Sequence, residues 1–361
     1  MKRDRALGIA GVSRHQYYYK PTGNKPGRKQ STHTPNVRGE LIANKDIVDK
    51  IEQKMEDPTS DYGYIKMTYE LKTDGYIINK KKVYRLMSEN NLLKAMSDKA
   101  DRNFVKFRKV LPKGPFEVLE MDIKFVWVEE HQRHAYILTV IDTFTRSVLY
   151  HTVQYSITQN TVKRAWEYII TEHLQPNDCL NRNIRIEIRN DNDKRFSAKM
   201  VQDFFKENHL NQVFTHPYTP QENGHIESFH AILSRHLKPY CFWSLAELEQ
   251  NLILFYEHYN NKRIHASTAY TSPNVFKQLW EMNLIEMKVD EKLRKVKFKL
   301  KIPYHQIKQH TGNNEPEDCS LLDFRHLNDA YKSNNKRCSA PNHLTTYGIK
   351  NRRRLFLALQ R

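Results

Sequence analysis

The sequence predicts an α/β protein, a mixed sheet flanked by helices, preceded by all-α segments. Three observations predict it. From Phe116 the pattern changes to strands, three strand-like runs follow one another without a helix, and helical and strand-like runs alternate after them. Consecutive strands imply antiparallel pairing and strand-helix-strand alternation implies parallel pairing, so one sheet holds both kinds and carries helices on both faces.

Along the chain, residues 1–21 end in GVSRHQYYYKP, read as a turn at Gly11, an N-cap at Ser13 and a short aromatic helix stopped by Pro21. That is the last part of a helix-turn-helix. Residues 22–45 contain TGNKPGRKQSTHTPN, which has no apolar period and is expected to be a basic flexible linker. Residues 46–98 read as helix, helix, a turn at Gly75 and a further helix, a helix-turn-helix-like DNA-binding segment. Ile47, Val48, Ile51 and Met55 share one helical face, and Asn79 is placed to cap the last helix. That helix sets Val83, Leu86 and Met87 on a buried side and Lys81 and Arg85, beside Lys80, on a side suited to DNA.

Residues 112–282 carry the sheet. FEVLEMDIKFVWVEE puts Leu119, Met121, Ile123, Phe125 and Trp127 on one face and Glu120, Asp122 and Lys124 on the other; AYILTVID and SVLYHTVQY continue an antiparallel meander. A helix over 159–174, a strand over 184–189, a helix over 197–208, the strand NQVFTH and a helix over 222–238 follow, with more helix over 245–282. Residues 285–361 form a basic region without an assigned fold. Within it KLRKVKFKLKI alternates Val296, Phe298 and Leu300 with lysines, a strand whose cationic face suits phosphate contact or shields a sheet edge.

Lysine and arginine outnumber aspartate and glutamate by 59 to 41 in 361 residues, a net charge of +18 that favours a polyanionic partner. Eight lysines and arginines stand against one acid, Asp4, in residues 1–35. The four cysteines lack metal-ligand spacing, and no apolar run reaches the roughly 18 residues of a membrane span. A cytoplasmic, nucleoid-associated protein with no membrane partner is expected.

Against this basic background three carboxylates stand out. Asp122 lies mid-strand on the less apolar face, and Asp191 lies just past the end of the strand 184–189. If those strands are parallel neighbours, both acids emerge at one rim. Glu227 sits beside the apolar stripe of Ile226, Phe229, Leu233 and Leu237, with His230 and Ser234 on its own side of the helix. Converging carboxylates repel one another. Two Mg²⁺ ions, for which Mn²⁺ substitutes, would relieve that repulsion and activate oxygen chemistry at phosphorus. The basic remainder would hold the nucleic acid.

The triad Asp122, Asp191 and Glu227, with 35 residues between the last two, is set in MDIKFVW, IRNDNDKRF and THPYTPQENGHIESFHAIL. It resembles the catalytic core of bacterial insertion-sequence transposases of the insertion-sequence-three group, relatives of retroviral integrases with a ribonuclease-H-like fold. GVSRHQYYYKP resembles the start of the group's second reading frame. DYGYIKMTYELKTDGYIINKKKVYRLMSENNLL resembles its helix-turn-helix-like segment. YEHYNNKRIHASTAYTSPNVF resembles its post-core helix and Tyr-Asn-x-x-Arg-x-His motif.

The resemblance implies that Asp122, Asp191 and Glu227 bind the metals, and that water and then a freed 3′-hydroxyl attack DNA in strand cleavage and strand transfer. It implies DNA contact by the loop holding His216 and Asn223 and by His230, Ser234 and Arg235, the last beside the place where the family keeps a basic residue. It also implies element ends and target DNA as partners, a homo-oligomer on DNA, and an upstream-frame product as fusion or partner. Asp193 stands where the family has glycine, so a catalytically impaired relic or DNA-binding regulator is the alternative. A free ribonuclease H would fit the core but leave the basic N-terminal segments without a role.

Overall fold

The computed structural model describes residues 3–19, 30–57, 62–94, 111–179, 185–215, 223–290 and 295–312. The expected stop at Pro21, the first part of the linker and the region from 313 onward lie outside them. Helix α1 (Arg3–Ile9) leads to α2 (Arg14–Tyr18), which Ser13 caps as the sequence predicts. Its hydroxyl accepts from the Gln16 amide at 3.1 Å while the Gln16 side chain accepts from the Ser13 amide at 2.9 Å.

The expected linker is in part a hairpin, β1 (His33–Pro35) against β2 (Leu41–Ala43). Strands of three residues are too short to show an apolar period. Their register is held by the turn, where Asn36 Oδ1 accepts from the amides of Arg38 and Glu40 at 3.0 and 2.9 Å and Gly39 takes a φ of +85°. Helices α3 (Asn44–Glu56), α4 (Tyr64–Thr73) and α5 (Lys80–Glu89) pack around Ile47, Ile51, Met67, Leu71, Val83 and Met87. Asn79 caps α5, accepting from the Lys82 amide at 2.9 Å.

The main sheet runs β5 (Val148–Gln154), β4 (Arg133–Asp142), β3 (Val118–Val128), β6 (Glu187–Asn190) and β7 (Asn211–Phe214) in that spatial order. The first three are antiparallel and the last two run parallel to β3, as the alternation of elements predicts. One face is covered by α6 (Gln159–Ile169), whose last residues pass into a π turn over Ile170–Leu174, and by α7 (Lys199–Glu207). Leu119, Met121, Ile123, Trp166 and Phe205 lie between them. The other face is covered by α8 (Gly224–Leu237) and α9 (Leu245–Asn261), through Ile226, Phe229, Leu233, Leu252 and Phe255.

The apolar face of β3 does not stay buried to its end: Phe125 and Trp127 are 55% and 41% exposed, because the strand outruns the helices that cover it. At the outer edge, Asn260 at the end of α9 accepts from the Val148 amide and donates to the Val148 carbonyl, both at 2.9 Å. The chain continues through α10 (Pro273–Glu281) into a second hairpin, β8 (Ile285–Asp290) with β9 (Lys295–Leu300), then α11 (Ile307–Thr311). The alternating strand thus has a partner. Phe298 packs on Phe144, Phe276 and Trp280, and Lys297 and Lys299 face solvent.

Trp166 is fully buried, edge-on to Phe205 at 5.2 Å, with its indole N–H on Met121 Sδ at 3.2 Å. Trp166→Ala is expected to cost about 3–5 kcal/mol in chemical denaturation. A change within about 0.5 kcal/mol would mean that this face of the sheet is not the tight core described.

Candidate active site

The parallel ladder between β3 and β6 pairs Val118 with Glu187, Leu119 with Ile188 and Glu120 with Arg189. Continued two residues, that register sets Asp122 level with Asp191, at the rim the sequence predicts. Asp122 is half-buried, and its Oδ2 lies 3.2 Å from His230 Nδ1. Asp191 follows directly on β6. The turn beyond is fixed by its neighbours. Buried Asn190 accepts from Gln212 Nε2 at 3.0 Å and from the Thr215 amide at 2.9 Å, and Asn192 Nδ2 donates to the Thr215 carbonyl at 3.1 Å.

Burial raises the Asp191 carboxyl; the amide of Asp193, donating to it at 3.2 Å, opposes this, and the negative charges of Asp122 and Asp193 raise it further. Glu227, exposed in the first turn of α8, is raised by burial first and then by Asp122 and Glu120. Asp122 is therefore felt by both other acids. Among the described residues no three His, Cys, Asp or Glu side chains stand close enough to share one ion as they lie. The convergence is pairwise around Asp122. Each of these groups offers only carboxylate oxygens, the donor type a hard divalent cation takes.

Asp193 behaves differently. Its Oδ1 accepts from the Arg195 amide and from Arg195 Nε, both at 2.8 Å, and its Oδ2 pairs with the far end of the same guanidinium. That bond to Arg195 holds its carboxyl below the usual range. Asp193 is also absent from the residues with positive φ, so the backbone here makes no demand for glycine.

The sequence reading missed Glu120. It is fully buried two residues before Asp122 on the same strand face, under the start of α8. Its Oε2 accepts from the amides of His225 and Ile226 at 3.1 and 2.7 Å, and its Oε1 lies 2.8 Å from His225 Nδ1. Two amides at the N-terminus of the helix that carries Glu227 are thus tied to the strand that carries Asp122. Burial pushes the Glu120 carboxyl up to about 7, against the Ile226 amide and the charges of Arg146 and Arg189.

The residues expected to touch DNA scatter. Lys80 and Lys81 are exposed at the start of α5. Arg85 Nη2 instead donates to the Ser31 carbonyl at 3.1 Å, and its Nε pairs with Glu89 at 3.8 Å. Arg235 is exposed on α8. His230 lies against Asp122, and the Ser234 hydroxyl donates to the His230 carbonyl at 2.7 Å. Asn223 is buried before α8 without capping it, and its Oδ1 has no hydrogen-bond partner among the described residues. His216 lies outside the described residues. In the Tyr-Asn-x-x-Arg-x-His motif, Tyr259 packs edge-on against Phe229 and His265, at 4.9 and 4.8 Å.

Residues 112–220 and 208–273 match two family models, each described as an integrase core domain, and residues 43–100 match an HTH-like domain. The chain is 27% identical over 217 residues to an uncharacterized 39.2 kDa protein of insertion element IS476 from Xanthomonas euvesicatoria, a span of 60% of each chain. It is 25% identical over 244 residues to the putative transposase InsK for insertion sequence element IS150 from Escherichia coli strain K12, covering 63% of this chain and 81% of that one. The chain thus spans 60% of the length of the first of these relatives. Among solved structures it is similar to the catalytic core domain of BIV integrase (19% identity, 46% of this chain and 97% of that one, TM-score 0.35). It is also similar to the catalytic domain of Mos1 mariner transposase (13%, 39% and 70%, TM-score 0.34). Among the described residues no helix is long and apolar enough to cross a membrane.

Proposed function

From the premise that this chain belongs to the insertion-element transposases, built on a ribonuclease-H-like integrase core, we propose that it cuts and joins DNA strands as a metal-dependent polynucleotidyl transferase. One observation carries the reading: Asp122 imposes its charge on both Asp191 and Glu227, from a central strand, a strand end and a helix start that are far apart in the chain. In the proposed arrangement Asp122, Asp191 and Glu227 would hold the metal. Two Mg²⁺ ions bound there would supply the positive charge that activates an attacking oxygen and stabilises a leaving oxygen at phosphorus.

The rest of the work falls to the chain. His230, on Oδ2 of Asp122, and the Ile123 amide, donating to its Oδ1 at 2.7 Å, would orient that ligand. Asn190, Asn192 and Gln212 would keep the Asp191 turn in place, and Glu120 would hold the start of α8 so that Glu227 faces the two aspartates. The net charge of +18 supports DNA, both element ends and target, as the substrate.

The test is strand cleavage of DNA carrying the ends of the protein's own element. Nicks bearing a 3′-hydroxyl are expected with Mg²⁺ or Mn²⁺, with none in EDTA and none from Asp122→Asn in any metal. Cleavage that persists in EDTA, or in Asp122→Asn, would overturn the reading. DNA binding without metal-dependent cleavage in the wild type would instead support the regulator alternative.

A further inference from the structure

The outer face of α5 differs from the one its sequence marks, and three sides divide the helix. Val83, Leu86 and Met87 are buried against α3 and α4. On one flank Lys82 Nζ donates to the Ser31 hydroxyl at 3.1 Å and to the His33 carbonyl at 2.6 Å, and Arg85 Nη2 donates to the Ser31 carbonyl at 3.1 Å. Both cations therefore hold the chain that enters β1. On the remaining side Lys80, Lys81, Tyr84 and Ser88 are exposed.

Tyr84 stands in the middle of that side. It is 48% exposed, and its ring lies edge-on to Tyr64 of α4 with centroids 5.1 Å apart. A tyrosine already braced in this way gives up little rotamer freedom when a ligand takes its hydroxyl. Lys80, Tyr84 and Ser88 follow at four-residue spacing, a row of about 12 Å at 1.5 Å per residue. A duplex lying along the row would pass it over three to four base steps of about 3.4 Å.

In a helix-turn-helix the helix after the turn enters the major groove, and here that helix is α5, reached from α4 through residues 74–79. Its lysines offer charge, which every phosphate accepts alike and which selects no sequence. Tyr84 and Ser88 offer hydroxyls, which donate or accept toward base edges. We propose that Tyr84, assisted by Ser88, reads base edges in the major groove at the ends of the element, that Lys80 and Lys81 hold the flanking phosphates, and that Arg85 braces the fold instead of touching DNA. The inference rests on the reading above for its partner and goes further in naming the side chains that select the sequence. Its test is binding without metal, so it does not depend on cleavage.

The test uses the full chain in EDTA and two duplexes of equal length, one carrying the ends of the protein's own element and one with the same bases shuffled. The quantity read is the ratio of the two affinities, together with the dependence of each on salt. Tyr84→Ala is expected to lower the ratio about tenfold with the salt slope unchanged. Tyr84→Phe keeps the ring against Tyr64, so it should melt with the wild type and still lower the ratio several-fold. Lys81→Met is expected to weaken both duplexes alike and to lower the slope by about 0.9, one phosphate contact. Arg85→Gln should melt lower and keep the ratio. A ratio unchanged in Tyr84→Phe sinks the hydroxyl contact, even where Tyr84→Ala lowers it, because the loss then belongs to packing on Tyr64. Equal weakening of both duplexes by the Tyr84 variants, with a lower slope, would make Tyr84 a phosphate contact and overturn its reading role. So would a wild type that binds both duplexes alike, or a ratio lost in Arg85→Gln and kept in the Tyr84 variants. If the variants lose the ratio and the wild type never cleaves, this inference stands and the proposed activity fails; cleavage with the ratio unmoved gives the reverse.

Discussion

Asp191→Asn is expected to lose metal-dependent strand cleavage by on the order of 10³-fold or more, while Asp193→Asn stays within about tenfold of wild type. Two aspartates two residues apart end in different electrostatic settings. Asp191 is pushed up by burial and, against the Asp193 amide, by the charge of Asp122. Asp193 already has a cation, Arg195, closed on both its oxygens. Removing the first takes an oxygen from the proposed metal set; removing the second loosens a turn. Side-by-side cleavage assays with Mg²⁺ and Mn²⁺ decide it. If Asp193→Asn is the dead variant and Asp191→Asn retains activity, the assignment is reversed.

The second large effect is expected at Glu120. Glu120→Ala strands the amides of His225 and Ile226 and the ring of His225, costing about 3 kcal/mol of stability. A shift of about 1 Å at Glu227 would lower cleavage by about 10²-fold. The two losses separate by temperature: stability is read from denaturation, and cleavage is read well below the melting transition.

Glu120 also makes a pH prediction. Its carboxyl titrates near 7 when folded, above its ordinary value of 4.5. Between about pH 4.5 and 7 the folded protein keeps a proton that the unfolded chain has released, so stability falls as pH rises through that window. Measured against Glu120→Gln, which cannot titrate, the wild type should lose up to about 3 kcal/mol across it and change little above. A difference that is flat with pH would place Glu120 in a less buried setting.

Asp122 and Asp191 are legible in the sequence because a strand's alternation and a strand's end are local properties. That they stand level depends on a β3–β6 register no single segment encodes, although the order of strands and helices predicts the pairing. Glu120 is hidden for a related reason: alternation tells which side chains share a face, but not whether water or a helix covers that face, and here α8 does. The hairpin of residues 33–43 escapes because three-residue strands carry no period, and because lysine and arginine from α5, Lys82 and Arg85, reach across to hold Ser31 and His33.

Asn260 has a consequence for assembly. By occupying both the amide and the carbonyl of Val148, its carboxamide substitutes for a neighbouring strand at the free margin of β5. A second copy cannot extend the sheet across that position by main-chain pairing. A multimer that used this margin would have to meet there through side chains or helices, and contact at β5 should be insensitive to peptides that mimic an added strand.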